Sequence, residues 1–86
     1  MSVNRYDIPL PRIEGAQSEI VVAAWRKQPG DSVTAGEIVA EVSTDKVNVE
    51  VASPVSGMLE SILAHEGATV AEGTPLARVL LPAASS

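Results

Sequence analysis

The sequence predicts an all-β fold, a small flattened barrel or sandwich with approximate two-fold symmetry. Twelve of the 86 residues are valine, and β-branched side chains favour the pleated surface of a sheet. Six glycines and six prolines interrupt the chain too often for helices of ordinary length, which indicates short strands joined by tight turns. Two segments of the chain also repeat. One repeat cannot bury both faces of its own sheet, whereas two repeats packed together can.

The repeat relates residues 30–42 to residues 67–79, so that Gly30 corresponds to Gly67, an offset of 37 residues. The matched positions are Gly30 with Gly67, Ser32 with Thr69, Val33 with Val70, Gly36 with Gly73, Val39 with Leu76, Ala40 with Ala77 and Val42 with Val79. Extended backward, the offset places Val21, Val22 and Trp25 on Met58, Leu59 and Ile62. Each half is therefore predicted to be a strand, a glycine-bounded turn, a short strand, a second such turn and another strand.

Residues 43–56 connect the halves and predict a β-hairpin whose two-residue tip is Asp45-Lys46. In this register one face is wholly suited to a core, with Thr44 opposite Val47, Val42 opposite Val49 and Ala40 opposite Val51. The other face pairs Ser43 with Asn48 and Glu41 with Glu50. A shift of one residue would send every side chain to the wrong face, so the pattern fixes the tip and places Lys46 in solvent.

Lys46 is the only lysine or arginine between Lys27 and Arg78, in a stretch that holds eight acidic residues. The hairpin by itself favours the plainer interpretation, a turn lysine kept for solubility or to prevent edge pairing. Under the repeat offset, the counterpart of Lys46 is position 83. We therefore expect the chain to leave the domain at the pole opposite the hairpin tip, with residues 6–10 completing the sheet there.

Composition excludes several classes of function. The chain has no cysteine, and His65 is its only histidine, so disulfide frameworks and multi-histidine zinc sites are excluded. A net charge of −5 disfavours binding to nucleic acid, and the longest apolar run, residues 20–25, is too short to span a bilayer. A self-sufficient enzyme lacks support, because no phosphate loop or nucleophile elbow is present. We expect a soluble domain in which His65 is a solvent-facing turn residue and Trp25 packs on the core or a sheet face.

Residues 44–47 read Thr-Asp-Lys-Val, and Gly57 follows eleven positions after the lysine. Together with Pro29-Gly30-Asp31-x-Val33, this pattern resembles the lipoyl domain of 2-oxo acid dehydrogenase complexes, over roughly residues 8–81. The resemblance implies a flattened barrel of two four-stranded antiparallel sheets, with residues 1–81 as the lipoyl domain and residues 82–86 as the start of an Ala/Pro/Ser-rich linker. It implies Lys46 as the covalent N6-lipoyl attachment point. It implies Asp45, Val47, Thr44 and Gly57 as recognition residues, with Gly57 as the small residue whose turn lies under the hairpin.

The resemblance also implies a function as a swinging-arm carrier with lipoic acid as its covalent cofactor. The implied partners are a lipoate-protein ligase or lipoyl synthase system, a thiamine-dependent 2-oxo acid decarboxylase, an acyltransferase catalytic domain and a dihydrolipoamide dehydrogenase. The domain alone would not be an enzyme and would be a monomer without metal, nucleic-acid or membrane partners. The parent chain would be a dihydrolipoyllysine-residue acyltransferase, in the cytoplasm of a bacterium or the mitochondrial matrix of a eukaryote.

Three segments of the sequence bear on the identity of the parent complex. Residues 45–50 resemble 2-oxoglutarate (succinyl-transferring) or branched-chain members more than pyruvate members, and residues 25–30 resemble the 2-oxoglutarate type. Residues 11–15 match only part of the family's usual Pro-Asp-Ile-Gly-Glu-Gly loop, a region that decarboxylases contact. Branched-chain and pyruvate complexes are the alternatives. A biotin carrier shares the fold but resembles Met-Lys-Met at the tip. The glycine-cleavage carrier is longer, and unmodified barrels of membrane-fusion proteins carry a helical insertion that is absent here.

Overall fold

The computed structural model describes residues 4–13 and 19–82, which form eight β-strands and, within those ranges, no helix. The strands are β1 Arg5–Pro9, β2 Ile20–Trp25, β3 Ser32–Val33, β4 Ile38–Ser43, β5 Asn48–Ala52, β6 Gly57–Ile62, β7 Thr69–Val70 and β8 Pro75–Leu80. They build two four-stranded antiparallel sheets, sheet A in the order β1-β8-β6-β3 and sheet B in the order β5-β4-β2-β7. The predicted fold class is confirmed.

The described residues cover most of the predicted features. Part of the loop at residues 11–15 and most of the linker at residues 82–86 lie outside them. Within the described ranges there is no helix of the length and apolarity needed to cross a membrane.

The repeat is visible in the topology. The offset of 37 residues carries β2 onto β6, β3 onto β7 and β4 onto β8, and it exchanges the two sheets, with β5 and β1 as each other's counterparts. Even the turn glycines correspond: among the described residues, positive φ angles occur at Gly30 (99°), Gly36 (92°), Gly67 (90°) and Gly73 (85°). A side chain at these angles is strained, so the turns require glycine. The predicted two-fold symmetry is therefore confirmed.

Equivalent hydrogen bonds tie each turn to the other half of the molecule. The Gly30 N–H donates to the Leu59 carbonyl and the Gly67 N–H donates to the Val22 carbonyl, both at 2.8 Å. Each bond crosses between the repeats, because Leu59 belongs to the second half and Val22 to the first. Neither half can form these bonds alone, so the repeats fold as one unit.

Aliphatic side chains from both sheets fill the core. The largest of the fully buried aliphatic side chains belong to Ile8, Leu10, Val22, Val39, Val42, Val51, Leu59, Leu76 and Val79. Trp25 packs at the margin of this cluster, where its indole N–H donates to the Ala64 carbonyl at 2.9 Å. The prediction that Trp25 serves packing is confirmed, since its one polar atom is bound within the protein.

Candidate functional site

The hairpin of β4 and β5 has the register that the alternation of side chains predicts. Val42 pairs with Val49, Ala40 with Val51 and Ser43 with Asn48. The Thr44 N–H donates to the Val47 carbonyl at 2.8 Å and closes the last ring before the turn. Asp45 and Lys46 therefore form the two-residue tip.

The apolar face of the hairpin reaches the core only part of the way to the tip. Val42 is fully buried and Val51 is 2% exposed, but Val47 is 51% exposed. The expectation that the Thr44–Val47 pair faces the core is therefore wrong. The reason is that β2 pairs with β4 only as far as Ser43, so the tip extends beyond the strand that supports it.

Lys46 and Asp45 are both exposed at this projecting tip. Among residues 4–13 and 19–82, the lysine and arginine side chains with a carboxylate within ion-pair distance are Arg5, Arg26, Lys27 and Arg78. Lys46 has no such contact in that part of the chain. An exposed amine without a carboxylate partner is accessible to an acyl donor. A group joined to it would need no cavity, because it would extend from the tip into solvent.

The surface below the tip is acidic. Glu41 and Glu50 face each other across β4 and β5, and like charges at such positions repel. The Arg26 guanidinium, 3.8 Å from the Glu41 carboxylate, offsets part of this repulsion. At the symmetry-related position, Arg78 faces Asp7 and donates from Nε to its carboxylate at 2.8 Å. That hydrogen bond holds the pKa of the Asp7 carboxyl below its ordinary value. The same pair of positions thus holds opposite charges in sheet A, Asp7 and Arg78, and two carboxylates in the hairpin, Glu41 and Glu50.

Gly57 lies at the base of the hairpin rather than near its tip. Strand β5 runs from the tip to Ala52, and Gly57 begins β6 farther along the chain, in sheet A. A Cβ at position 57 would overlap the carbonyl oxygen of Leu80. A small residue is therefore needed here because β6 closely approaches β8, and the expected part of Gly57 in recognition stays a prediction.

The end of β8 is therefore also at the base of the hairpin. Leu80 pairs with Met58, and the Leu81 N–H donates to the Asn4 carbonyl at 2.8 Å, beside the first residues of β1. Strand β1 completes sheet A here by pairing along β8. As predicted, the chain leaves the sheets at the end opposite Lys46.

Among the residues that the structure describes, no second reactive group of side chains accompanies Lys46. His65 is exposed in the turn after β6, as predicted, and the neighbouring Glu66 carboxylate accepts a hydrogen bond from the Trp25 backbone N–H at 3.1 Å. Glu66 thus supports the fold instead of orienting the histidine. Across the described ranges, no group of three or more His, Cys, Asp or Glu side chains is placed to hold a metal ion.

Comparison with known proteins agrees with this geometry. The family model described as "Biotin-requiring enzyme", the biotin/lipoyl model, matches residues 7–79. The chain belongs to this biotin- and lipoyl-attachment family. The solution structure of the lipoyl domain of the 2-oxoglutarate dehydrogenase complex from Azotobacter vinelandii is similar, with a TM-score of 0.65 and 31% identity. That likeness covers 87% of this chain and 96% of the other.

Curated relatives of the family are longer than this chain. It is 45% identical over 73 residues to the dihydrolipoyllysine-residue succinyltransferase component of the 2-oxoglutarate dehydrogenase complex of Staphylococcus saprophyticus. It is 49% identical over 70 residues to the dihydrolipoyllysine-residue acetyltransferase component of the pyruvate dehydrogenase complex of Mycobacterium bovis. These matches cover 85% and 81% of the chain but only 17% and 13% of the relatives. The family model, the relatives and the structural neighbour together identify the chain as a lipoyl domain.

Proposed function

We propose that this domain is a lipoyl carrier and that Lys46 is its covalent attachment point. The observation that carries the proposal is the position of Lys46, an exposed amine at the apex of a two-residue turn without a carboxylate partner in the described residues. Attachment converts the Lys46 amine into an amide, with loss of one amine proton and of the donor's activating group. Asp45, Thr44 and Val47 flank the amine and are proposed to be the residues that a ligase contacts.

The dithiolane of a bound lipoyl group supplies the redox and acyl-carrying chemistry. The protein contributes a rigid platform whose hairpin register holds the lysine away from the sheets. It also separates two poles, because the chain leaves sheet A at the base of the hairpin. A tether at one pole leaves the lysine at the other free to visit successive active sites.

The proposed partners are a 2-oxo acid decarboxylase, an acyltransferase domain, dihydrolipoamide dehydrogenase and a lipoate-attaching enzyme. Support comes from the relatives, which are named as acyltransferase components of such complexes. We propose the 2-oxoglutarate complex, in agreement with the succinyltransferase relatives and the structural neighbour. On this proposal residues 1–81 are one carrier domain of a longer acyltransferase and residues 82–86 begin a linker, in bacterial cytoplasm or a mitochondrial matrix.

Reductive acylation tests the carrier function and the substrate together. The lipoylated domain is incubated with a 2-oxoglutarate decarboxylase and 2-oxoglutarate, or with a pyruvate decarboxylase component and pyruvate, and the acyl adduct is read by intact mass. We expect succinylation to be faster, and none in Lys46→Arg. Faster acetylation would assign the domain to the pyruvate complex. A domain that is acylated neither by these two systems nor by a branched-chain 2-oxo acid decarboxylase with its substrate would contradict the carrier function.

The family model also covers biotin-requiring enzymes, so a biotin carrier is the second candidate. The flanks of the lysine, Asp45 and Val47, do not resemble the Met-Lys-Met of biotin carriers. Incubation with biotin-protein ligase and biotin distinguishes the two, and we expect no biotin adduct.

A further inference from the structure

The hydroxyl of Thr44 makes a local network of hydrogen bonds at the tip of the hairpin, directly before the turn. Its Oγ1 accepts hydrogen bonds from the backbone N–H groups of Lys46 and Val47, both at 3.1 Å. The same oxygen is 3.2 Å from the Val47 carbonyl, to which the hydroxyl donates. One of these bonds therefore holds the backbone of the residue whose amine we propose to be modified.

The turn has a specific need for such support. Two-residue hairpin loops favour types I′ and II′, which require a positive φ and therefore usually glycine or asparagine. The tip residues are Asp45 and Lys46, and no non-glycine residue in the described ranges has a positive φ. The hairpin is thus closed by a turn whose backbone does not match the twist of its strands. A threonine hydroxyl that bonds to N–H groups two and three residues ahead offsets this disadvantage.

The symmetry of the fold shows that closing the strand pair does not itself require the hydroxyl. Under the offset of 37, the counterpart of Thr44 is Leu81, and the counterpart of the Thr44–Val47 backbone bond is the Leu81–Asn4 bond at 2.8 Å. That bond forms at a position where the side chain has no polar atom. The hydroxyl is therefore an addition at the pole that carries Lys46.

We propose that Thr44 is a positioning residue for lipoylation, acting through its hydroxyl on the Lys46 backbone. The proposal rests on the carrier function and states what holds the Lys46 amine in position for the ligase. A ligase must bring an activated carbonyl to the amine in a narrow range of geometries. Without the hydroxyl, the tip spends less time in the competent arrangement, and the apparent affinity for the ligase falls by that fraction.

Variants at one position separate the hydroxyl from the rest of the side chain. Thr44→Val keeps the shape and β-branching but removes the acceptor, and Thr44→Ser keeps the hydroxyl. The matched control is Thr74→Val, because Thr74 Oγ1 accepts from the Ala71 N–H at 3.0 Å in a turn that precedes β8. With lipoate-protein ligase, lipoate and ATP, we expect kcat/KM to fall about five- to tenfold in Thr44→Val, through a higher KM. Thr44→Ser and Thr74→Val should stay within about twofold of the parent domain.

A second measurement shows whether the change lies at the tip. Backbone ¹⁵N order parameters at Lys46 and Val47 should fall to about 0.6 in Thr44→Val and stay at about 0.85 in Thr44→Ser. All rates are measured at a temperature at which amide spectra show each variant folded, so a loss of global stability does not mimic the effect.

The outcomes separate this proposal from the carrier function. If the parent domain is not lipoylated, the carrier function fails. If it is lipoylated and Thr44→Val reacts equally fast, the positioning role of Thr44 is refuted while the carrier function stands. Equal losses in Thr44→Val and Thr44→Ser would also refute the proposal, because the hydroxyl would not be the cause. A similar loss of kcat/KM in Thr74→Val would refute the proposal as well, because removing a hydroxyl from a turn outside the hairpin would then have the same effect.

Discussion

Replacing Gly57 with alanine tests whether this glycine is required by the packing of β6 on β8. The new Cβ would overlap the Leu80 carbonyl oxygen and lie 2.8 Å from Val79 Cγ1. The oxygen is part of the strand backbone, so relief requires β6 and β8 to separate near the Met58–Leu80 pair. Overpacking of this kind costs about 1–3 kcal/mol. For a domain of this size each kcal/mol lowers Tm by roughly 4–8 °C, so we expect a fall of roughly 4–24 °C.

Thermal unfolding followed by circular dichroism measures the effect, with Met58→Ala as the control. Met58 is 42% exposed in the same strand, and its truncation should change Tm by only about 2 °C. Because Gly57 lies at the hairpin base, folded Gly57→Ala should be lipoylated at the parent rate. An unchanged Tm would refute the steric argument. A lost lipoylation rate in the folded variant would restore the recognition role that the family resemblance implies.

Three further predictions concern the hairpin and the charged surface. Val42→Ala removes buried methyl groups and should lower the free energy of unfolding in urea by about 1–3 kcal/mol. Val47→Ala changes a half-exposed side chain and should alter it by at most about 0.5 kcal/mol. Equal losses would contradict the difference in burial between Val42 and Val47. The arginine bound to Asp7 lowers the pKa of that carboxyl below 3.8, so its stabilisation is present above this value and is lost as the pH falls through the lowered pKa. Asp7→Asn should therefore lose less stability on acidification, and an identical acid profile would refute the coupling. The double variant Asp45→Lys with Lys46→Ala should fold, which amide spectra can check, but it should be lipoylated poorly. The reason is that a shift of one residue turns the amine toward different neighbours. Modification at the parent rate would show that the hairpin acts only as a flexible loop.

The strands and the hairpin register could be predicted because errors in them are physically costly. A slip of one residue would bury Glu41 and Glu50 and expose Val42, so the alternation admits one register. The repeat extended this inference to the second half of the chain, since β2, β3 and β4 have their counterparts in β6, β7 and β8, 37 residues later. The same symmetry correctly placed the exit of the chain at the base of the hairpin.

Other features depend on distances that a pattern of residues does not contain. Alternation shows which face Val47 occupies but not that β2 ends its pairing at Ser43 and leaves the tip uncovered. The role of Gly57 depends on the approach of the Leu80 carbonyl from a strand that follows much later in the sequence. The hydroxyl network of Thr44 did have a local signal, because threonine before a turn without glycine often bonds to the backbone two residues ahead.

Intact mass with peptide mapping after lipoylation in vitro tests the central claim most directly. The domain is incubated with lipoate-protein ligase, lipoate and ATP, in parallel with Lys46→Arg, which keeps the charge of the tip but offers no acylatable amine. The other lysine, Lys27, serves as an internal control, because its Nζ lies 2.8 Å from the Glu37 carboxylate. We predict one lipoyl adduct, on Lys46, and none in the arginine variant. An adduct that persists in Lys46→Arg, or a parent domain that stays unmodified, would contradict the account.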